Sequence, residues 1–333
     1  MKRRFTTPIY FIAILFIIAA ASGCIKTDET KEETTLCIGY QPSTHHIAHI
    51  TAMEKGWWEH DLAPFGIKEI TDKQFSSGPP EMQAMLAGVL DIAYVGSAPP
   101  ITAIARGLDA KIVACVNTNG SDLVLHPEIN YTTPEDLKGL IIATFPPGSI
   151  QDTVFRKWLT ENNINPDTDL DIREMGPGDA ITAITAKAVD GVFLPHPAPA
   201  IIESQGTGKI IIPSGKMWAS HSCCVLVVSG KLIRERPDLV EQIIKTHINA
   251  TTYNLAHPEE AARLTAEKLT MNESLLSESL NTWDGTWCTD PHGSIPSTLE
   301  YANVQYELGY LKKPLTEEDL FDTSFYDKIT EHQ

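Results

Sequence analysis

From residue 36 onward, two patterns of apolar and polar positions alternate along the chain. Short apolar runs, typical of buried strands, alternate with stretches in which apolar side chains recur every three or four positions, which is typical of helices. Residues 36–40 form one such run, and Ile47, Ile50 and Met53 follow at helical spacing until Gly56 ends the predicted helix. Loops rich in Gly and Pro separate the predicted elements.

The same cycle repeats through both halves of the chain. The predicted strands are residues 36–40, 67–75, 91–95, 111–116, 140–144, 169–173 and 190–194. The chain after Arg236 is predicted to be largely helical. Strands that alternate with helices predict parallel sheets with helices on their faces. Residues 87–95 resemble residues 185–193, because a helix end, an Asp and an apolar strand follow one another in both, and this echo predicts two similar α/β lobes.

The N-terminus has the features of an export signal. Basic residues at positions 2–4 precede a continuous apolar stretch, residues 9–21, which is short for a membrane span and fits the apolar core of a signal peptide. Small residues then lead to Cys24, in an order similar to a lipobox. We therefore predict a signal peptide over residues 1–23, lipidation of Cys24 and a polar tether over residues 24–35. An uncleaved signal anchor is the alternative, and both place the chain outside the cell, tethered to the membrane.

Charge and cysteine content narrow the possible functions. The 333 residues carry a formal net charge of -17, which argues against a nucleic-acid partner because such proteins need a basic surface. Cys37 and Cys115 lie in apolar, strand-like runs and are predicted to be core residues. Neighbouring Cys223 and Cys224 have poor geometry for a mutual disulfide. The cysteines contain no C-x-x-C or closely spaced Cys/His ligand set, so no metal and no cofactor are predicted.

Several short motifs, in a fixed order, resemble a known family. They are GYQP (39–42), AMEKGWW (52–58), LAGVLDIAYVGSAP (86–99), EDLKG (135–139) and VDGVF (189–193). Each is weak alone, but their order and spacing are similar to those of the nitrate/sulfonate/taurine group of ABC-transporter solute-binding proteins, which also includes binders of thiamine-pyrimidine precursors. The resemblance covers about residues 36–212 and, more loosely, the helical tail.

The resemblance implies an α/β, two-lobed type II periplasmic-binding-protein fold with a cleft between the lobes and a helical C-terminal extension. Residues 36–119 and 221–333 would form the first lobe and residues 120–220 the second. It also implies a monomer that captures a small-molecule ligand and delivers it to ABC permease and ATPase subunits.

The solute itself stays open, because LPHP (194–197) replaces the Trp-Glu-Pro-like run of many family members. A sulfonate, taurine or nitrate-like anion is favoured, and a pyrimidine or other vitamin precursor is the alternative. A sensor that reports the ligand to a receptor is a further alternative.

Ligands of open α/β sheets bind beyond the carboxyl ends of the strands, and several loops of this chain lie there. Their backbone amides and hydroxyl groups would suit an oxyanion, since none of these loops contains Lys or Arg. The predicted ligand-binding residues are Gln41, His45, His46, Ser76, Ser77, Gly78, Gly96, Ser97, Ala98, Pro147, Gly148, Ser149, Asp179, Pro195, His196 and His221.

Two groups of side chains suggest other chemistry. His45 and His49 are four residues apart, a spacing that zinc can use, but the sequence places no third ligand beside them. His221 lies near Cys223 and Cys224, and a Cys beside a His can be a nucleophile, as in a desulfinase-like enzyme of the same fold. Because VLVV follows these cysteines, both thiols are predicted to begin a buried strand and to be inert. We therefore predict a binding protein and not an enzyme.

Overall fold

Most apolar runs of the sequence become strands of two separate β-sheets in the computed structural model, which describes residues 34–331. The predicted signal peptide and Cys24 lie outside the described residues. The strands are β1 Thr35–Tyr40, β2 Glu69–Gln74, β3 Ile92–Gly96, β4 Ala110–Thr118, β5 Ser121–Leu125, β6 Ile141–Thr144, β7 Asp171–Glu174, β8 Gly191–Pro195, β9 Lys209–Pro213, β10 Ser222–Ser229 and β11 Thr286–Trp287.

Helices follow most strands and dominate the last third of the chain. They are α1 Ile47–Glu54, α2 Trp57–Leu62, α3 Gly78–Leu86, α4 Pro99–Ala105, α5 Ile150–Glu161, α6 Pro177–Thr185, α7 Ala198–Ser204, α8 Ser214–Met217, α9 Gly230–Glu235, α10 Pro237–Ala256, α11 Pro258–Leu269, α12 Glu273–Thr282, α13 Ile295–Glu307, α14 Glu317–Leu320 and α15 Ser324–Thr330. Short 3-10 turns cover Thr44–His46, Ala63–Phe65, Pro134–Leu137 and Pro291–Ser294. No helix within residues 34–331 combines the length and the apolar character needed to cross a membrane.

The first sheet has the strand order β11-β4-β10-β3-β1-β2. β1 runs parallel to β2 and β3, as the alternation of strands and helices predicts. β10 lies antiparallel between β3 and β4. The strands β3 and β10 are buried along nearly their whole length, which explains why their sequences are continuous apolar runs rather than alternating ones.

The second sheet repeats this arrangement with the order β7-β6-β8-β5-β9. β6 runs parallel to β7 and β8, whereas β5 lies antiparallel between β8 and β9. The expectation of parallel strands is therefore wrong for β5 and β10, and also for the edge strand β11, which pairs antiparallel with β4. The physical reason is the chain path: β5 and β10 are the strands by which the chain enters the second sheet and returns to the first, so each runs against its neighbours.

The crossing from the first sheet to the second is made by only two residues, Asn119 and Gly120, and both have positive φ angles of 52° and 90°. A Cβ atom on Gly120 would lie 2.7 Å from the His45 ring and 2.7 Å from Trp283. Glycine is therefore required here for two reasons, the backbone conformation and the close approach of two rings. The return crossing passes through α8.

A disulfide joins Cys115 in β4 to Cys288 just after β11, with 5.4 Å between the two Cα atoms. The prediction that Cys115 is simply a core residue is thus incomplete, because it is buried and also bonded. A separation of 173 residues along the chain hides this pairing from the sequence. The bond ties the helical last third to the first sheet.

The C-terminal helices pack mainly on the first sheet and add buried polar contacts to its core. Tyr301 of α13 is fully buried and donates a hydrogen bond to the Ser222 carbonyl (3.0 Å), and His247 of α10 lies 2.8 Å from the Cys115 carbonyl. The α12 side chain of Ser279 and the α13 side chain of Gln305 reach the second sheet and its loops. The helical extension therefore contacts both sheets.

Candidate functional site

The cavity between the two sheets, named the main cavity for this position, lies where the carboxyl ends of parallel strands from both sheets face each other. Segments that follow β1, β2, β6, β7 and β8 enclose a volume of about 370 Å³. The lining residues are Gln41, Pro42, Ser43, Gln74, Phe75, Ser76, Phe145, Pro177, Gly178, Ile181, Pro195, Pro197, Ala198, Ile201, Leu269 and Met271. This position is the one that open α/β sheets use for ligands. Of the predicted ligand-binding residues, the wall contains Gln41, Ser76 and Pro195.

The cavity wall carries no ionisable side chain among its described lining residues. Its side-chain hydrogen-bonding groups come from two amides, Gln41 and Gln74, and two hydroxyls, Ser43 and Ser76. The remainder is proline, glycine, aliphatic and aromatic surface. A ligand here would be held by neutral donors and by apolar contact, which is the usual composition of small-molecule pockets.

The loop before α5 does not form the open anion cage that the sequence predicts. Pro147 and Gly148 line a second cavity of about 280 Å³, on the side of α3 and α4. The Gly148 amide donates to the Asp152 carboxylate (3.2 Å), and the Ser149 hydroxyl accepts from the Asp152 amide (3.2 Å). Asp152 also binds Arg156 and Tyr310. The protein's own carboxylate thus occupies this helix start.

The loop after β3 also uses its polar groups internally. The Ser97 amide donates to the Cys223 carbonyl (2.8 Å) and its hydroxyl to the Ser222 carbonyl (2.9 Å). Ser77 and Gly78 are buried at the start of α3, Gly96 and Ala98 are buried beside Ser97, and Asp179 is exposed on α6. These predicted residues therefore do not join the wall of the main cavity in this conformation.

His196 is fully buried and both ring nitrogens have partners. Its Nε2 lies 2.7 Å from an Asp122 carboxylate oxygen and its Nδ1 2.7 Å from the Ser279 hydroxyl. The backbone of the same residue connects the two sheets, because its carbonyl accepts hydrogen bonds from the Thr44 amide and hydroxyl, each at 3.2 Å. The His196 ring is thus bonded within the protein, and the carbonyl of the same residue connects the two sides of the cleft.

His45 sits at the crossing between the sheets and is almost completely buried. Its Nε2 lies 2.8 Å from the Gly120 carbonyl, which can only accept, so Nε2 carries the proton. The other nitrogen, Nδ1, lies 3.4 Å from Cys223 Sγ and 3.6 Å from Cys224 Sγ. The two sulfurs are 3.9 Å apart.

These three groups alter one another's ionisation. Burial disfavours a charged imidazole, but the neighbouring Cys223 outweighs it and raises the pKa of His45. Burial also opposes the Cys223 thiolate, yet the hydrogen bond from Cys224 and the charge on His45 lower the pKa of Cys223 well below its ordinary value. Burial raises the pKa of Cys224. Cys223 is therefore the thiol that ionises first.

His46 and Glu81 are further buried groups beside the cleft. The Gln41 amide donates to His46 Nδ1 (2.8 Å), and the Gln41 side chain donates to a Glu81 oxygen (2.8 Å). Burial raises the pKa of Glu81 well above its ordinary value and lowers the pKa of His46 well below it. Burial therefore disfavours the charged form of both groups, and Gln41 connects them to the cavity wall.

His45 and His49, whose spacing would suit zinc, do not form a metal site with each other. His49 lies 3.3 Å from Asp72 and packs against Tyr40, Tyr94 and Trp58, whereas the partners of His45 are the two thiols. Cys223 is 178 residues from His45, so no local pattern could reveal their contact. His221 is fully buried, and within the described residues neither of its ring nitrogens has a hydrogen-bond partner.

Asp284, which sequence analysis did not single out, connects both crossings between the sheets. One carboxylate oxygen accepts from the Gly120 amide (2.8 Å) and the other from the Gly215 amide in α8 (2.7 Å). Its carbonyl also accepts from Asn119 (3.3 Å). No sequence signal marks this residue, because its role depends on two segments that are distant in the chain.

A family model matches residues 29–270, which is well over half of the chain, and its description is the NMT1-like family. The chain belongs to the NMT1-like family. This membership and the relatives below confirm the resemblance drawn from the sequence motifs.

Named relatives and solved structures extend the comparison. A Bacillus subtilis protein with the provisional name aliphatic sulfonates-binding protein is 25% identical over 97% of this chain and 96% of its own length. The alkanesulfonate-binding protein SsuA from Xanthomonas axonopodis pv. citri, bound to MOPS, has a TM-score of 0.76 at 19% identity, covering 87% of this chain and 99% of that one. The periplasmic nitrate-binding protein NrtA from Synechocystis PCC 6803 also has a TM-score of 0.76, at 16% identity, covering 90% and 89%.

These likenesses confirm the two-sheet periplasmic-binding-protein fold of this NMT1-like chain. The two solved neighbours and the Bacillus relative are named as binding proteins and not as enzymes, in agreement with the prediction that this chain is not an enzyme.

Proposed function

We propose that this NMT1-like protein is the extracytoplasmic solute-binding component of an ABC importer. The main support is the cavity between the two sheets, which opens at the carboxyl ends of strands from both. A ligand there would contact Gln41 and Phe75 on one side and Phe145 and Ile181 on the other. It would therefore stabilise the closed arrangement, in which Thr44 binds the His196 carbonyl, and the importer would recognise that form.

An organic sulfonate is the solute that we favour. A volume of about 370 Å³ lies in the range of small-molecule pockets, and a nitrate-sized ion would leave most of it to water. Gln41, Gln74, Ser43 and Ser76 offer neutral donors, which suit a weakly hydrated oxyanion, while the apolar wall suits an organic tail. The names of the sulfonate-binding relatives agree with this choice.

A pyrimidine or similar heterocycle is the second candidate, and the cavity wall itself supports it. Phe75 and Phe145 supply aromatic surface from opposite sheets, and the amide side chains of Gln41 and Gln74 can both donate and accept hydrogen bonds. An uncharged wall suits a neutral ring as well as it suits an anion.

The test is a thermal-shift and calorimetric screen of the full chain in detergent against alkanesulfonates, taurine, nitrate, bicarbonate and pyrimidines. A specific ligand stabilises the folded state by about 2.7 kcal/mol at a hundredfold excess over the dissociation constant. Saturable binding of a sulfonate supports the first candidate, and binding of a pyrimidine alone supports the second. If no compound binds and a sulfinate is consumed, the enzyme alternative replaces both.

A pair of matched variants connects any binding to the cavity. Ile181→Trp places a large side chain in the cavity wall and should abolish the ligand-induced shift. Leu255→Trp, at a surface position where 60% of the side chain is exposed, should leave the shift unchanged. Equal shifts in both variants would place the ligand elsewhere.

We also propose that the chain is a monomeric lipoprotein on the outer face of the cell membrane, with the two-lobe division of residues 36–119 and 221–333 against residues 120–220. The Cys115–Cys288 disulfide supports an oxidising compartment. Metabolic labelling with a fatty acid should mark the wild-type protein and not Cys24→Ser. Labelling of that variant, or a cytoplasmic location of the wild type, would contradict this part of the proposal.

A further inference from the structure

The buried cluster of His45, Cys223 and Cys224 is not explained by solute capture, because none of the three lines the main cavity. Together they are the group of described residues whose ligand atoms lie close enough, within 4.8 Å of one another, to hold a metal ion. We propose that they form a binding site for a thiophilic divalent cation of the zinc class. This departs from the prediction, made from spacing alone, that the chain binds no metal.

The distances within the cluster match those required by a tetrahedral ion. Zinc bonds of about 2.3 Å to sulfur and 2.0 Å to nitrogen, at tetrahedral angles, separate two sulfurs by about 3.8 Å and a sulfur from a nitrogen by about 3.5 Å. The observed separations are 3.9 Å between the sulfurs and 3.4 and 3.6 Å from the sulfurs to His45 Nδ1. An ion could therefore bind without any large movement of the three side chains.

The histidine is oriented for such a role by its second nitrogen. Nε2–H donates to the Gly120 carbonyl, so the lone pair of a neutral ring is on Nδ1, which faces the two thiols. Metal-binding histidines nearly always have this kind of outer hydrogen bond, which sets the tautomer and the ring orientation. Gly120 is also the residue where any side chain would collide with His45. The crossing between the sheets thus holds the ring in place.

Two sulfurs and one imidazole nitrogen select the kind of ion. Thiolate ligands favour zinc over magnesium or calcium, which prefer oxygen. Three protein ligands leave a fourth position of the tetrahedron for water or another donor. The buried His221, whose ring nitrogens have no hydrogen-bond partner in the described residues, precedes Cys223 by two positions in the chain. Binding would release the thiol protons of Cys223 and Cys224 to solvent.

The experiment is metal analysis of the full chain, purified in detergent without added thiol so that the Cys115–Cys288 bond remains closed. After dialysis against zinc and then against metal-free buffer, the wild type should retain one zinc per chain. The Cys223→Ser/Cys224→Ser double variant should retain none. Cys37→Ser, which alters a free cysteine in β1 outside the cluster, should still retain one.

Two results would overturn the proposal: a wild type that retains no zinc, or a double variant that retains a full equivalent. Zinc X-ray absorption of the wild type avoids any dependence on the folding of a variant. It should show two sulfur ligands and at least one nitrogen, and a shell of oxygen and nitrogen alone would contradict the assignment. The outcome is independent of the solute screen, because the metal ligands lie outside the cavity wall.

Discussion

The two sheets of the molecule share an arrangement of five strands, to which the first sheet adds β11, but they differ in what surrounds them. In each, a reversed strand lies between two strands that run the other way, β10 in the first sheet and β5 in the second. The first sheet is bonded to the C-terminal third by the Cys115–Cys288 disulfide and covered by α10. The second has its own smaller apolar core and a buried His196–Asp122 contact. The same arrangement of strands thus supports different chemistry, because the side chains beside each reversed strand differ.

Removal of the Cys115–Cys288 disulfide, which is attached to the first sheet, should cause the largest loss of stability. Cys288→Ser opens a covalent loop of 173 residues in sequence separation, so the free energy of unfolding should fall by about 2–5 kcal/mol. Urea denaturation measures this change. Cys37→Ser serves as the control and should change stability much less. A Cys288→Ser effect no larger than that of the control would mean that the first sheet does not depend on this bond.

Acid should weaken the first sheet through His247 of α10. Burial lowers the pKa of His247 to about 4, so the folded protein keeps this ring neutral while the unfolded chain protonates it near pH 6.5. Between these values the unfolded state binds more protons, and the free energy of unfolding falls as pH falls, by roughly 3 kcal/mol from this residue.

Denaturation curves from pH 7 to pH 4 check this expectation. His247→Gln should be less stable at pH 7 but should lose less stability on acidification than the wild type. His60→Gln, at a position where 85% of the side chain is exposed, should keep the wild-type slope. Equal slopes in all three proteins would contradict the assignment to His247.

Substitution of Asp284 tests whether its hydrogen bonds hold the two crossings between the sheets in place. Asp284→Ala removes the acceptor for the Gly120 and Gly215 amides, and hydrogen bonds to a charged group contribute about 1.5–3 kcal/mol. We expect a loss of stability in this range and faster hydrogen exchange at the amides of both glycines. Glu278→Ala, on the exposed face of α12, should affect neither quantity. Unchanged exchange in Asp284→Ala would show that the crossings are held by other contacts.

The smallest loss of stability is expected from a substitution in the second sheet. Asp122→Ala leaves His196 Nε2 without its partner, and an unsatisfied buried group costs about 1–3 kcal/mol. In a double-mutant cycle with His196→Gln, the double variant should lose less stability than the sum of the losses in the two single variants. Additive effects of the two substitutions would indicate that the 2.7 Å contact contributes nothing to stability.

The sequence by itself determined the elements whose identity depends on near neighbours. The runs at residues 36–40, 140–144 and 190–194 become β1, β6 and β8, and no bound shifts by more than one residue, because a buried strand needs consecutive apolar side chains. The strand ends around Gln41, Phe75 and Pro195 were also predictable, and they do converge on the cavity. The prediction of the family was also confirmed, because the order and spacing of its short motifs can be read directly from the sequence.

Only the tertiary structure decided which distant residues meet. β5 and β9 were not predicted, although β5 is as long as the predicted β8 and begins directly after the Asn119–Gly120 crossing. The bond from Cys115 to Cys288, the contact of His45 with Cys223 and the bridge from Asp284 to two glycines join segments that are 69 to 178 residues apart. Periodicity reports which face of an element is buried, but it carries no information about what lies against that face, and the chemistry of this protein depends on those long-range contacts.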